Sequence, residues 1–338
     1  MTEIVLDPAV LKALPVGAKV IYICKHGRSN WSEGYRVDIE VDGDERELFL
    51  KVCYRSQHVA MARGEYESQK ALAQHLPDNT AAPLAWNTFE LDPTRSFFLT
   101  TYRELSKDRI PNPSELIEIL AKLHKSSVSP TGKFGFHVTT FNGHVPLIND
   151  WTDSWEEWFS RQLRSDIEWE QTVRGVDAEF NEVVDQFFQK VIPRLLRPLQ
   201  SGGRSIKPVL VHGDLWPGNA QIDRTSNRLI LFDSCCCYAH NEMELHMMRQ
   251  ERYEFKKEYV NAYTIAVKPS EPKEDFEDRN ILYAMRDDMI NSGLHDHRAH
   301  LRGEVKQEML RLLAKHPNGI DGFKEPTRAK GIPNLPES

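Results

Sequence analysis

Polar and apolar residues alternate from Tyr35 to Asp42. Tyr35, Val37, Ile39 and Val41 fall on one side, and Arg36, Asp38, Glu40 and Asp42 on the other. A period of two predicts a half-buried strand. Asp42-Gly43 is a hairpin-turn dipeptide, and Leu48, Leu50 and Val52 resume the alternation, so residues 35–54 read as a β-hairpin. Ahead of it lies a polar loop, KHGRSNWSEG, bracketed by Gly27 and Gly34. The period then lengthens. Over residues 59–76, Glu65, Leu72 and Leu76 share one helical face. FFLTT at 97–101 reads as another strand. Pro111 and Pro113 break the chain, and Ser114 is placed to cap a helix striped by Leu116, Ile119, Leu120 and Leu123. Residues 150–200 read as helical and hold Trp151, Trp155, Trp158 and Trp169, an aromatic stripe that fits helix packing. The apolar run Val209–Val211 stops at His212-Gly213-Asp214. A second hairpin follows over 220–233, with arms AQIDR and RLILF around TSN. Helical patterns occupy about 241–264 and 275–316, and the Pro- and Gly-rich residues 317–338 read as a flexible tail.

This order predicts an α+β chain with two lobes. A small β-rich lobe (1–103) would sit over a larger, mostly helical lobe (104–316) with the second hairpin embedded in it and a cleft between. A length of 338 residues is sufficient for two such bodies. The formal net charge of −7 argues against a nucleic-acid partner held by bulk positive charge. No apolar run approaches the roughly 20 residues that span a bilayer. The N-terminal stretch MTEIVLDPAVLKALPVGAKV lacks the basic-then-apolar order of a secretory signal. The five cysteines, Cys24, Cys53 and the adjacent Cys235-Cys236-Cys237, fit reduced thiols in a cytoplasmic protein. No CxxC pair supports a zinc site.

The second hairpin brings Asn219, entering one arm, and Asp233, leaving the other, to the same end. Asp214 stands on the loop that feeds them. Two carboxylates and an amide oxygen are hard ligands suited to Mg²⁺ shared with phosphate oxygens. Asp214 would orient an acceptor hydroxyl and take its proton. Asn219 and Asp233 would hold the metal on the phosphates of ATP. Gly213 and Gly218 would give the loop its freedom. Taken singly, Asp214 and Asn219 read better as turn residues and Asp233 as a helix cap; the constellation points to phosphoryl transfer. The first lobe supplies a second element. Lys51 stands in the apolar strand LFLKVCY, and Glu65 faces inward from the next helix, which makes a Lys–Glu pair on the phosphates. The loop at 26–34, with Gly27, Ser29 and Asn30, would cover those phosphates with backbone N–H groups. Trp31 within that loop is unusual.

HGDLWPGN at 212–219 resembles the catalytic loop of the fructosamine-3-kinase and ketosamine-3-kinase family, part of the protein-kinase-like aminoglycoside/choline phosphotransferase group. The HGD…N pattern is common to the group, and Trp216 narrows it to the fructosamine kinases. RGEYES (63–68), LAKLH (120–124), GKFGFHVTTFNG (132–143), NDWTDSWEEWF (149–159) and YAHNEMEL (238–245) agree, and the long form resembles fungal members. The resemblance implies a bilobal protein-kinase-like fold and ATP-dependent phosphorylation of the 3-hydroxyl of a ketosamine, free or on a glycated protein. It implies that Thr101 and Tyr102 belong to the hinge that holds adenine. Trp216 would pack on the sugar, and His240 and Glu244 would line the acceptor pocket. Two departures, Asp233-Ser234-Cys235 and Cys237-Tyr238-Ala239-His240, fall beside that pocket. A phosphotransferase for another small hydroxyl compound is the rival within enzymes. A nucleotide-binding pseudokinase would require the loss of a catalytic group, and none is missing.

Overall fold

The alternation over residues 35–54 builds the centre of a five-stranded sheet. In the computed structural model, which describes residues 6–325, α1 (Pro8–Ala13) precedes β1 (Lys19–Arg28), β2 (Ser32–Val41) and β3 (Asp44–Cys53). Helix α2 (His58–His75), β4 (Pro83–Thr88) and β5 (Ser96–Thr101) complete this part. The sheet order is β1-β2-β3-β5-β4, all antiparallel. Asp42 and Gly43 both take positive φ, as the tight β2–β3 turn requires. Val37, Ile39, Val41, Leu48, Leu50 and Val52 turn to one face and pack with Val10, Phe97 and Leu99. Each such burial contributes about 1.5–3 kcal/mol. Strand β1 was not expected. It lies at the sheet edge and buries none of its ten residues, so it carries no alternation to read. With β1 formed, the loop expected over 26–34 shrinks to Ser29–Trp31.

The rest of the chain is mostly helical. It contains β6 (Leu105–Ser106), α3 (Pro113–Ser126), the small hairpin β7 (Phe141–Asn142) and β8 (Val145–Pro146), α4 (Trp155–Arg174) and α5 (Ala178–Leu196). Then come β9 (Val209–Val211), β10 (Ala220–Asp223), β11 (Leu229–Leu231) and β12 (Cys237–Ala239), followed by α6 (Lys257–Ala266), α7 (Phe276–Leu294) and α8 (Leu301–Lys315). The α3 cap is Asn112, not Ser114: its side chain accepts from Glu115 N at 3.0 Å, and Glu115 answers on Asn112 N at 2.9 Å. Pro113 occupies the first helical position, so Ser114 is already inside. The helix expected from 241 is a 3₁₀ helix ending at Arg249, with α6 starting eight residues later. Trp155 and Trp158 stack at 5.2 Å in the core, and Trp155 Nε1 donates to Tyr283 Oη at 2.9 Å, so this pair is packing.

Residues 317–325, expected to begin a flexible tail, are folded. Gly319–Gly322 forms a 3₁₀ turn on α5, Phe323 lies under Arg194 and Arg204, and Glu325 pairs with Arg204 at 2.6 Å. Residues 326–338 lie outside the described residues. Cys53 and Cys235–Cys237 are buried, while Cys24 on β1 is half-buried. Burial pushes the thiols of Cys53 and Cys237 up to about 12. No described helix is long and apolar enough to cross a membrane.

Candidate active site

The apolar run Val209–Val211 is β9, paired with β12 in the interior. At its end the backbone must turn sharply. Gly213 takes φ +83°, and a Cβ there would lie 2.5 Å from the Cys235 carbonyl oxygen. Only glycine fits. His212 is fully buried. Its Nε2 donates to Phe232 O at 3.0 Å, and its Nδ1 accepts from Asp214 N at 3.3 Å. Burial holds its pKa below the ordinary value, so the ring is a neutral strut between the loop and the hairpin.

The hairpin β10–β11 pairs Ala220 with Leu231, and the residues flanking it meet as expected. Asn219 Nδ2 donates to Asp214 O and to Asp214 Oδ2, both at 2.9 Å, and reaches Asp233 O at 3.5 Å. Asp233 takes φ +60°, rare for a residue other than glycine, which aims its side chain across the cleft. There it pairs with Lys51 of β3. Lys51 Nζ lies 2.8 Å from Glu65 Oε2 on α2, so the Lys–Glu pair forms as well. Lys51, Glu65, Asp214 and Asp233 together line a cavity of about 50 Å³, with Trp31, Cys53, Met61, Phe141, Gly143 and Ser234 as its other walls.

The acids around this cavity are driven apart electrostatically. Burial, then the charges of Asp233 and Asp287, push Asp214 up to about 8 against the pull of Asn219 and Lys51. Asp233 stands open to the cleft, its side chain 46% exposed, and Lys51 holds its carboxyl below the ordinary range. Burial pushes Glu65 up to about 7. One acid poised to exchange a proton beside one kept ionised is the division of labour that proton abstraction beside a cation site needs.

Trp216 is partly exposed. Its indole covers Gly218, where a Cβ would come within 2.2 Å, and it packs on Tyr253 at 5.7 Å. The remaining expectations are revised. Gly27 belongs to β1, opposite Gly34. Ser29 N donates to Ser32 O at 2.8 Å, and Ser29 Oγ accepts from the Trp31 and Ser32 amides at 3.2 and 3.0 Å. Those three amides are spent within the turn and do not face a phosphate. The carbonyls of Ser29 and Asn30 are taken by Tyr54 and Arg55. Thr101 N donates to Ala82 O and Tyr102 N to Glu47 O, both at 3.0 Å, so neither hinge amide is open to a base. The Tyr102 ring instead packs edge-on against His26.

His240 and Glu244 do not line a pocket. His240 is fully buried, with Nδ1 on Tyr283 Oη at 2.8 Å and Nε2 on Ser270 Oγ at 2.9 Å. Glu244, also fully buried, accepts from His212 N at 2.6 Å and Gly213 N at 3.2 Å. It holds the loop backbone from beneath. Proximity in sequence to Asp233 misled here, because β12 carries the chain straight into the core. Sequence reasoning also missed Arg252, which bridges Asp287 and Asp288 of α7 and lies over Tyr253 at 5.0 Å. No spacing signal links that segment to Asp214.

A model of the fructosamine kinase family matches residues 31–312. A chloroplastic protein-ribulosamine 3-kinase of Oryza sativa subsp. japonica is 31% identical over 227 residues, covering 67% of this chain and 61% of that protein. The match thus spans about three fifths of that relative's length. Ketosamine-3-kinase of Mus musculus is 39% identical over 114 residues, 33% of this chain and 34% of its own. Among solved structures, a candidate fructosamine-3-kinase from Thermobifida fusca superposes with TM-score 0.69 at 18% identity, covering 90% of this chain and 98% of that one. The aminoglycoside phosphotransferase APH(4)-Ia, in complex with AMP-PNP and hygromycin B, superposes with TM-score 0.59 at 13% identity, covering 88% and 94%. The fold is therefore the bilobal, protein-kinase-like α+β fold expected from the sequence.

Proposed function

The chain belongs to the fructosamine kinase family, and from that premise we propose that it transfers the γ-phosphoryl group of ATP to a sugar hydroxyl of a ketosamine, such as a ribulosyl- or fructosyl-lysine. The observation that carries the reading is the meeting of Asp214, Asn219 and Asp233 beneath the Lys51–Glu65 pair. In the transfer, the bond from the γ-phosphorus to the ADP oxygen breaks and a bond to the sugar oxygen forms. The hydroxyl proton passes to Asp214, whose raised pKa suits it to hold that proton. Lys51, fixed by Glu65, exchanges its Asp233 contact for the phosphates. Asp233 and Asn219 offer hard oxygen donors, a set that fits Mg²⁺, and Asp233 is held ionised as a ligand must be. When bound, the ion would neutralise phosphate charge. Trp216 offers the sugar an apolar face beside the base. The family relationship supports a glycated lysine as acceptor, free or on a protein, and a role in removing such adducts. The reduced cysteines fit a cytoplasmic setting.

The test is incubation with ATP, Mg²⁺ and ribulosyl-, fructosyl- and erythrulosyl-lysine, following ADP release and sugar phosphate. Turnover is expected with at least one of them. Asp214→Ala is expected to lower it by about 10³-fold while nucleotide affinity survives. A variant as active as the wild type overturns the assignment of the base.

A further inference from the structure

Trp31 is the one apolar residue in the turn Ser29–Trp31 between β1 and β2, and it is not left in water. It crosses the cleft. On the first lobe it packs with Cys53, Met61 and Ala62, and Phe141 joins the same cluster from the second lobe. Its indole is seated at the β7–β8 turn. Gly143 there takes φ +62°, and a Cβ on it would stand 3.3 Å from Trp31 Cη2 and 3.1 Å from Leu294 Cδ1. The His144 ring lies 6.0 Å away. The seat is thus cut to the indole by the absence of a side chain at residue 143. The turn that carries Trp31 is braced by Tyr54 and Arg55 on the carbonyls of Ser29 and Asn30. The same indole walls the cavity that Lys51, Glu65, Asp214 and Asp233 share. At about 50 Å³ that cavity has room for a few waters directly beneath the indole.

We propose that Trp31, docked against Gly143, is the water-excluding lid of the transfer site, and that it makes the sugar hydroxyl rather than water the phosphoryl acceptor. The inference rests on the phosphotransferase reading above. The competing reaction needs the same machinery. The bond from the γ-phosphorus to ADP breaks, water oxygen bonds the phosphorus, its proton passes to Asp214, and inorganic phosphate leaves. Asp214 does not distinguish the two hydroxyl groups, so selectivity must come from what shields the site. An indole spanning both lobes closes that route once the turn is down. The Ser29 hydroxyl of the turn is engaged by the Trp31 and Ser32 amides.

The experiment compares wild type, Trp31→Ala, Trp31→Phe and Gly143→Val with ATP and Mg²⁺. ADP release is measured without acceptor, and ADP and sugar phosphate are measured together with ribulosyl-lysine. For the wild type, the two products should match. For Trp31→Ala, acceptor-free ADP release should rise about tenfold or more, and sugar phosphate should fall well short of ADP. Trp31→Phe should restore much of the coupling. Gly143→Val, which fills the seat with Trp31 still present, should behave as Trp31→Ala. Thermal unfolding and calorimetric nucleotide binding establish that each variant is folded; if Gly143→Val is not, Trp31→Ala decides. Matched products and unchanged acceptor-free release in Trp31→Ala overturn the proposal, as does a variant that merely slows both reactions together. If the wild type phosphorylates no ketosamine, the ketosamine reading falls. Acceptor-free ADP release by wild type and Trp31→Ala still decides the lid.

Discussion

Glu244→Gln replaces one carboxylate oxygen with an NH₂ group at a site with no exposure. The oxygens of Glu244 accept from two consecutive backbone amides, His212 N at 2.6 Å and Gly213 N at 3.2 Å, and His124 Nε2 lies 3.6 Å away. Burial opposes the charge, but His124 and the His212 amide outweigh it and hold the carboxyl below its ordinary range. A hydrogen bond to a charged group contributes about 1.5–3 kcal/mol, and a buried amide left without a partner costs about 1–3 kcal/mol. Glutamine can serve one amide and turns a donor toward the other. The expected loss is therefore about 2–4 kcal/mol, roughly thirty- to a thousandfold in the balance between seated and displaced loop. Because Asp214 follows Gly213 directly, the loss should appear in kcat and in urea unfolding alike. Nucleotide affinity, which the proposed function assigns to Lys51 and its partners, should hardly move. The stabilisation from a depressed carboxyl is complete above its unfolded pKa, so the deficit should be constant between pH 6 and 8 and shrink only in acid. A variant within about 0.5 kcal/mol of wild type with unchanged kcat would refute the assignment of Glu244 as the prop of the catalytic loop.

With Asp214 pushed up to about 8, kcat/KM for ATP should climb with pH and level off near that value, because in the proposed role of base it must lose its proton. A limb below pH 5 contradicts this. Asp287→Asn removes one of the charges that raise Asp214 and should move the limb to lower pH in the same titration. Gly213→Ala forces a Cβ to within 2.5 Å of the Cys235 carbonyl at a positive φ, so it should cost about 2 kcal/mol or more in unfolding free energy and abolish turnover. A soluble, active Gly213→Ala protein would show that the turn has other solutions.

What the sequence disclosed followed the strength of each local signal. Val37, Ile39 and Val41 announce β2 because one face is buried and the other wet, whereas β1 is exposed on both faces and announces nothing. The convergence of Asp214, Asn219 and Asp233 was readable because a short hairpin fixes the distance between its own ends. Lys51 and Glu65 were readable because the strand period sends Lys51 to the sheet face opposite Leu50 and Val52, and Glu65 meets it there from the next helix. Direction beyond the next element was not readable. His240 and Glu244 follow Asp233 in the chain, yet β12 turns them into the core. Their polar character serves the backbone of other segments. Asp287 acts on Asp214, and Arg252 on Asp287, only through packing of α7, which no spacing encodes. Trp31 stood out as odd in a polar loop. The reason for it, a glycine seat on the far lobe, lies more than a hundred positions away.

The run Cys235-Cys236-Cys237 looks like a hazard for any chemistry aimed at thiols, but all three are sealed in the interior with Cys53, and their ionisation is suppressed by burial. Thiolate is the reactive form. A maleimide dye should therefore attach at Cys24 alone, on the edge strand that leads into the Trp31 turn. The native chain thus carries its own single attachment point for a fluorescent reporter, positioned to follow the opening of the turn without any engineered cysteine.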